Sequence, residues 1–188
     1  MNKTICTIKH RSRWEGQNKR ICDEFVFLDL KLLFRPKLMM LGINPSAGMD
    51  VFCDQTNLKL INALIQYNKG NKGREFKGYK LVNFSSVVSS QMKSLSIGDY
   101  DLNIEILEKW LKKGRCICLF YGRDFVTGTS VSVAIKNKIF SSRFIQLIKK
   151  YKTQIYVTTF DGKFSHPSRL SGVKIEQYNS QYTVFIDP

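Results

Sequence analysis

The chain has 188 residues, of which 43% are hydrophobic and 24% charged, the balance of a folded protein rather than a disordered one. That length suits one domain with a full core and is too short for two of ordinary size. Lys and Arg total 30 against 15 Asp and Glu, a net charge of +15 that points to a polyanionic partner, nucleic acid first.

Residues 1–23 read as a basic N-terminal extension and residues 24–188 as the α/β core of a single domain. In the extension Lys9, Arg11, Arg13, Lys19 and Arg20 surround Trp14, as in either a nucleic-acid-binding arm or a solvated tail, and His10 reads as solvated surface. Apolar runs at 24–30 and 37–43 predict strands, the second entering a loop at Asn44-Pro45. Residues 54–68 place Leu58, Ile61, Leu64 and Ile65 at helical spacing. The stretch 69–80 carries five cations and three glycines and predicts a loop that either grips DNA or is simply solvated. A strand at 79–84, an amphipathic helix at 104–113 and a strand at 115–121 follow. Residues 133–151 predict a helix with Ile135, Ile139, Phe144, Leu147 and Ile148 inward and five cations, with no carboxylate, outward. Strands are expected at 153–159 and, as a last edge, 182–186. Alternating strands and helices imply right-handed crossovers and a mainly parallel sheet covered on both faces, with function at the carboxyl ends of its strands.

No apolar run approaches the ~18 residues that span a bilayer, and the opening MNKTICTIKHRSRW lacks a signal peptide's apolar stretch. A cytoplasmic monomer without membrane contact is expected. The five cysteines, Cys6, Cys22, Cys53, Cys116 and Cys118, include no CxxC pair and predict reduced, mostly buried thiols with no metal site.

Three of the predicted carboxyl ends carry polar side chains: Asn44 after 37–43, Asn83 in 79–84, and His166 after 153–159. A carboxamide can hold a water or read an amide-like base edge but cannot take up a proton at neutral pH, whereas a His can stabilise negative charge on a leaving group.

The order and form of these motifs resemble the uracil-DNA glycosylase superfamily. GINPSAG at 42–48 resembles its water-activating motif, in the GINP form of the mismatch-specific branch. LVNFSSVVS at 81–89 resembles the strand whose Asn recognises the flipped base, and CLFYGRDF at 118–125 the apolar strand that follows. HPSRLSG at 166–172 resembles the element carrying the catalytic His and the minor-groove loop. The resemblance covers about three quarters of the chain and implies a three-layer αβα sandwich with a short, mainly parallel central sheet.

The implied activity is a monofunctional DNA glycosylase that flips a modified or deaminated pyrimidine and hydrolyses its N-glycosidic bond without metal or cofactor. Asn44 would position the attacking water, Asn83 would read the base, and His166 would stabilise the departing anion. Phe52 or Phe84 would stack on the base. Ser168 and Ser171 would bind phosphates, and Leu170 would fill the gap left by the flipped nucleotide. Arg169 replaces a Pro of the family pattern and adds a cation against DNA. Asn44 stands where the most uracil-selective branch has Asp, implying slower hydrolysis, and Ser46 stands where that branch has a bulky Tyr, leaving room for a substituent at C5. NPS, GYKLVNF and the late His-Pro also resemble a family of uncharacterised bacterial proteins with the same fold, so a non-catalytic nucleic-acid-binding protein is the alternative.

Overall fold

The computed structural model describes residues 7–16, 19–42, 55–85, 104–113, 116–120, 137, 141–166 and 172–178. Its strands are β1 (Ile8–Glu15), β2 (Lys19–Phe27), β3 (Leu38–Gly42), β4 (Gly78–Asn83), β5 (Ile117–Leu119), β6 (Ile155–Phe160), β7 (Lys163–Phe164) and β8 (Lys174–Gln177). Its helices are α1 (Gln55–Gly70), α2 (Ile104–Leu111) and α3 (Ser142–Lys150), with one 3₁₀ turn at Leu30–Leu32. The predicted edge strand at 182–186 lies outside the described residues.

The strands form one sheet in the order β1-β2-β4-β3-β5-β6-β7, with β8 also on β6. Its centre, β4-β3-β5-β6, is parallel. Both flanks are antiparallel, so the sheet is mixed where a mainly parallel one was expected. The fold is α/β.

Alternation along the central strands decides which helix covers which face. Leu38 and Met40 of β3 pack with Leu60, Ile61, Ala63, Leu64 and Tyr67 of α1. Met39 and Leu41 point the other way, into a cluster with Leu107, Trp110 and Leu111 of α2 and Phe144, Leu147 and Ile148 of α3. In each helix these apolar positions recur at three- and four-residue intervals, which is why the helices form and face inward. Lys149 and Lys150 close α3, where cations suit the negative end of the helix dipole.

The N-terminal segment is structured. Residues 8–15 pair with residues 19–27 as a β-hairpin, so the expected boundary between 23 and 24 falls inside β2. Strand β2 then pairs with β4, making the hairpin one flank of the sheet. Inward positions of β1 carry Ile8, His10 and Ser12, while Lys9, Arg11 and Arg13 are exposed. His10 is not solvated surface, because its ring stacks on Phe25 at 4.2 Å between centroids. Beyond β2 the chain turns with Leu30 86% and Phe34 94% exposed, at the edge of the sheet opposite the carboxyl ends of the parallel strands.

Gly78 opens β4 at φ +149° with its Cα against the backbone of Phe25, and a Cβ there would overlap the Phe25 carbonyl. Gly78→Ala is therefore expected to lower stability by about 3 kcal/mol or more, read as a shift of the urea midpoint at unchanged slope. A wild-type midpoint would show that β2 and β4 can separate locally without cost.

Candidate functional site

The carboxyl ends of β3, β4, β5 and β6 form one edge of the sheet. Gly42, the last residue of β3, is the Cα partner of Asn83, the last residue of β4, and its carbonyl accepts a 2.8 Å hydrogen bond from the Phe84 amide. Phe120, just past β5, donates its amide to the Leu41 carbonyl at 3.1 Å. These two bonds place Asn83 and Phe120 on either side of Gly42. A Cβ at Gly42 would lie 2.5 Å from Asn83 Oδ1 and would overlap the Phe120 ring, so glycine is what lets the two side chains close over β3.

His166 reaches the same edge by a tight return. At β6 the partner β8 lies opposite β5, because both align with Tyr156 and Val157. Thr159 aligns with both Lys174 of β8 and Phe164 of β7, so β7 continues the β5 side of β6 beyond the point where β5 ends. The turn between β6 and β7 is Asp161-Gly162, both at positive φ (49° and 70°), the conformation a two-residue hairpin demands. Ser165 is fixed twice to β6: its amide donates to the Thr158 carbonyl at 3.1 Å, and Thr158 Oγ1 donates to the Ser165 carbonyl at 2.7 Å. The next residue, His166, then sets its ring 5.8 Å from that of Phe120.

Asn83, Gly42, Phe120 and His166 are thus contiguous on one edge. Asn83 is 8% exposed, and among the described residues its carboxamide makes no side-chain hydrogen bond. It does not cap a described loop, and no described side chain occupies its carbonyl or its amide. Phe84 differs from the expectation of a stacking ring: it is fully buried among the residues packed under α2 and α3, on the face opposite Asn83, and serves as core. Asn44, Ser46, Phe52, Ser168, Arg169, Leu170 and Ser171 lie outside the described residues.

Sequence reasoning missed two features. Phe120 lay within a recognised apolar strand, but its position between Asn83 and His166 follows only from strand order. The second is a buried polar cluster on β1 and β2. Arg20, expected on a basic arm, is 4% exposed and bonds Asp23, itself 1% exposed, at 3.2 Å. Ser12 donates to the other Asp23 oxygen at 2.5 Å and lies 3.1 Å from His10 Nε2. Asp23 sits beside Leu81, two residues short of Asn83. The sequence signal was a carboxylate at an inward position of an otherwise apolar alternation, Cys22 to Phe27.

Burial pushes the thiols of Cys22, Cys116 and Cys118 up, most strongly for Cys118 inside the core, which favours their protonated form. Among the described residues no cluster of three or more His, Cys, Asp or Glu could hold a metal ion. No helix among them is long and apolar enough to cross a membrane. Comparison with protein-family models, with curated proteins and with solved structures finds no match.

Proposed function

We propose that the protein is a DNA glycosylase that extrudes a modified or deaminated pyrimidine and hydrolyses its N-glycosidic bond, on a three-layer αβα sandwich of the uracil-DNA glycosylase type. The observation that carries the reading is the contiguity of Asn83, Gly42, Phe120 and His166 at the carboxyl edge of the parallel strands. On this reading the Asn83 carboxamide donates to and accepts from the amide-like edge of the flipped base, and Phe120 closes the pocket floor. His166 stabilises negative charge on the departing base, the step that limits such hydrolysis. Asn44, two residues after Gly42, holds the water that attacks C1′, and Ser46 leaves space at C5. Ser168, Arg169, Leu170 and Ser171 contact the flanking DNA, which offsets the few kcal/mol needed to unstack a base. The protein acts as a cytoplasmic monomer on a polymer, consistent with the +15 charge.

The test is alkali cleavage of oligonucleotides carrying uracil, mismatched thymine or 5-substituted pyrimidines after incubation with the full chain. The wild type is expected to leave abasic sites on at least one of them, and Asn83→Ala and His166→Ala each to slow this by about 10²–10³-fold with little change in DNA affinity. Salt-sensitive binding without abasic product on any substrate would replace this reading with a non-catalytic DNA-binding protein on the same fold.

A further inference from the structure

Among the described residues, no helix covers the face of the β1–β2 hairpin opposite α1. His10, Ser12, Asp23 and Phe25 point to the α1 side, so Lys9, Arg11 and Arg13 point to the other, where all three are exposed. The helices α2 and α3 do not extend over this face: of the described hairpin residues, Cys22 is the one that packs against their core. The register aligns Lys9 with Val26, Arg11 with Glu24 and Arg13 with Cys22, and Glu24 in turn aligns with Lys80 of β4. Lys37 adds a further cation by bonding Glu24 directly. Five cations therefore stand on this face around one carboxylate. Burial alone would raise the Glu24 carboxyl, but the hydrogen bond from Lys37 and the charges of Lys37, Lys80 and Arg11 outweigh it and hold the group below its ordinary range. The face stays strongly positive even with Glu24 ionised.

We propose that this face is a track for the sugar–phosphate backbone of DNA, with Lys9, Arg11 and Arg13 contacting successive phosphates of one strand. The inference rests on the reading of DNA as the partner. Alternate residues of a strand stand about 6.8 Å apart, a separation comparable to that of successive phosphates, and an edge strand held by its hairpin presents them as a rigid row. Two of the three are Arg, whose planar fork grips phosphate oxygens in pairs. The direction also fits. Strand β1 is antiparallel to β2 and β2 to β4, so β1 runs with β4, and the row from Lys9 to Arg13 climbs towards the edge where β4 ends at Asn83. A membrane surface is disfavoured because the most exposed large apolar side chains described, Leu30 and Phe34, stand at the opposite edge.

The test measures binding of undamaged fluorescent DNA by anisotropy across a salt series, using the full chain. Against the wild type stand Lys9→Gln/Arg11→Gln/Arg13→Gln and a control, Arg143→Gln/Lys149→Gln/Lys152→Gln, which removes the same charge from exposed positions on and just after α3. The hairpin triple is expected to weaken binding about tenfold or more and to flatten the slope of log K against log salt by about two to three units, the control by less than one. Equal losses in the two triples would overturn the track in favour of diffuse attraction to the whole molecule. An unchanged hairpin triple would overturn it outright. Preferential capture of RNA or of phosphatidylglycerol vesicles over DNA in competition would also overturn it. Binding is read without turnover, so a wild type that makes no abasic sites but shows the hairpin-specific loss would remove the glycosylase reading and leave the track standing.

Discussion

Gly42→Ala is expected to slow the proposed base excision by about 10²-fold while costing about 1–3 kcal/mol of stability. The added methyl would occupy space held by the Phe120 ring and would stand 2.5 Å from Asn83 Oδ1. Neither neighbour has an easy retreat, since both are buried and Gly42 is tied to β4 by the Phe84 amide. The ring must turn towards His166 or the carboxamide must leave the base-reading position, and either shift displaces a group whose placement the proposed chemistry needs within a fraction of an ångström. A second substitution separates packing from chemistry. Phe120→Leu in the Gly42→Ala background returns space and is expected to recover much of the urea midpoint, with the two changes strongly non-additive. A Gly42→Ala chain with wild-type stability and wild-type turnover would mean that Asn83 and Phe120 do not close over β3 as described.

The largest loss of stability is expected at the buried ion pair. Arg20→Met leaves Asp23 in a nearly dry site with, among the described residues, the Ser12 hydroxyl and His10 Nε2 at 3.6 Å beside it but no guanidinium, and a buried charge that loses its ion partner costs about 3–5 kcal/mol. Asp23→Leu alone removes the carboxylate that the buried guanidinium bonds and is expected to be destabilising in its turn. The double variant, Arg20→Met/Asp23→Leu, removes both charges together and is expected to regain most of the loss, because an apolar pair of similar volume serves a buried site about as well. Urea unfolding of the three variants checks this. If the double variant is as unstable as the sum of the singles, the pair is not the unit that holds the hairpin. DNA affinity adds a contrast: Arg20 is buried, so its loss should leave the salt slope unchanged wherever the chain is folded, unlike the loss of exposed Arg13.

The parallel centre was legible because each of its parts declares itself in apolar residues. KLMMLGI is a continuous run, and the faces of α1, α2 and α3 recur at helical spacing. Strand β1 was not legible, since two of its inward positions are His10 and Ser12 and its outward ones are cations, so alternation exists without a hydrophobic period. Arg20 and Asp23 escaped for a related reason: in a sequence a buried ion pair looks the same as two solvated charges. The β6–β7 return could have been found, because Asp161-Gly162 is a strong two-residue hairpin signal between β-forming residues. For the site, strand ends marked Asn83 and His166 as candidates, but the contact that joins them runs through Gly42 and Phe120 and depends on β3 lying between β4 and β5.

That placement of β3 also orders assembly in time. Its neighbours are contributed by distant parts of the chain, Met40 aligning with Leu81 on one side and Cys118 on the other, whereas the β1–β2 hairpin closes over only a few residues. Long loops close slowly, so the hairpin and its cations can be in place before the parallel strands have zipped together. On the proposed reading, a chain lacking the β6–β7 return would carry the cationic row and Asn83 without the imidazole, and is expected to bind DNA without hydrolysing a glycosidic bond.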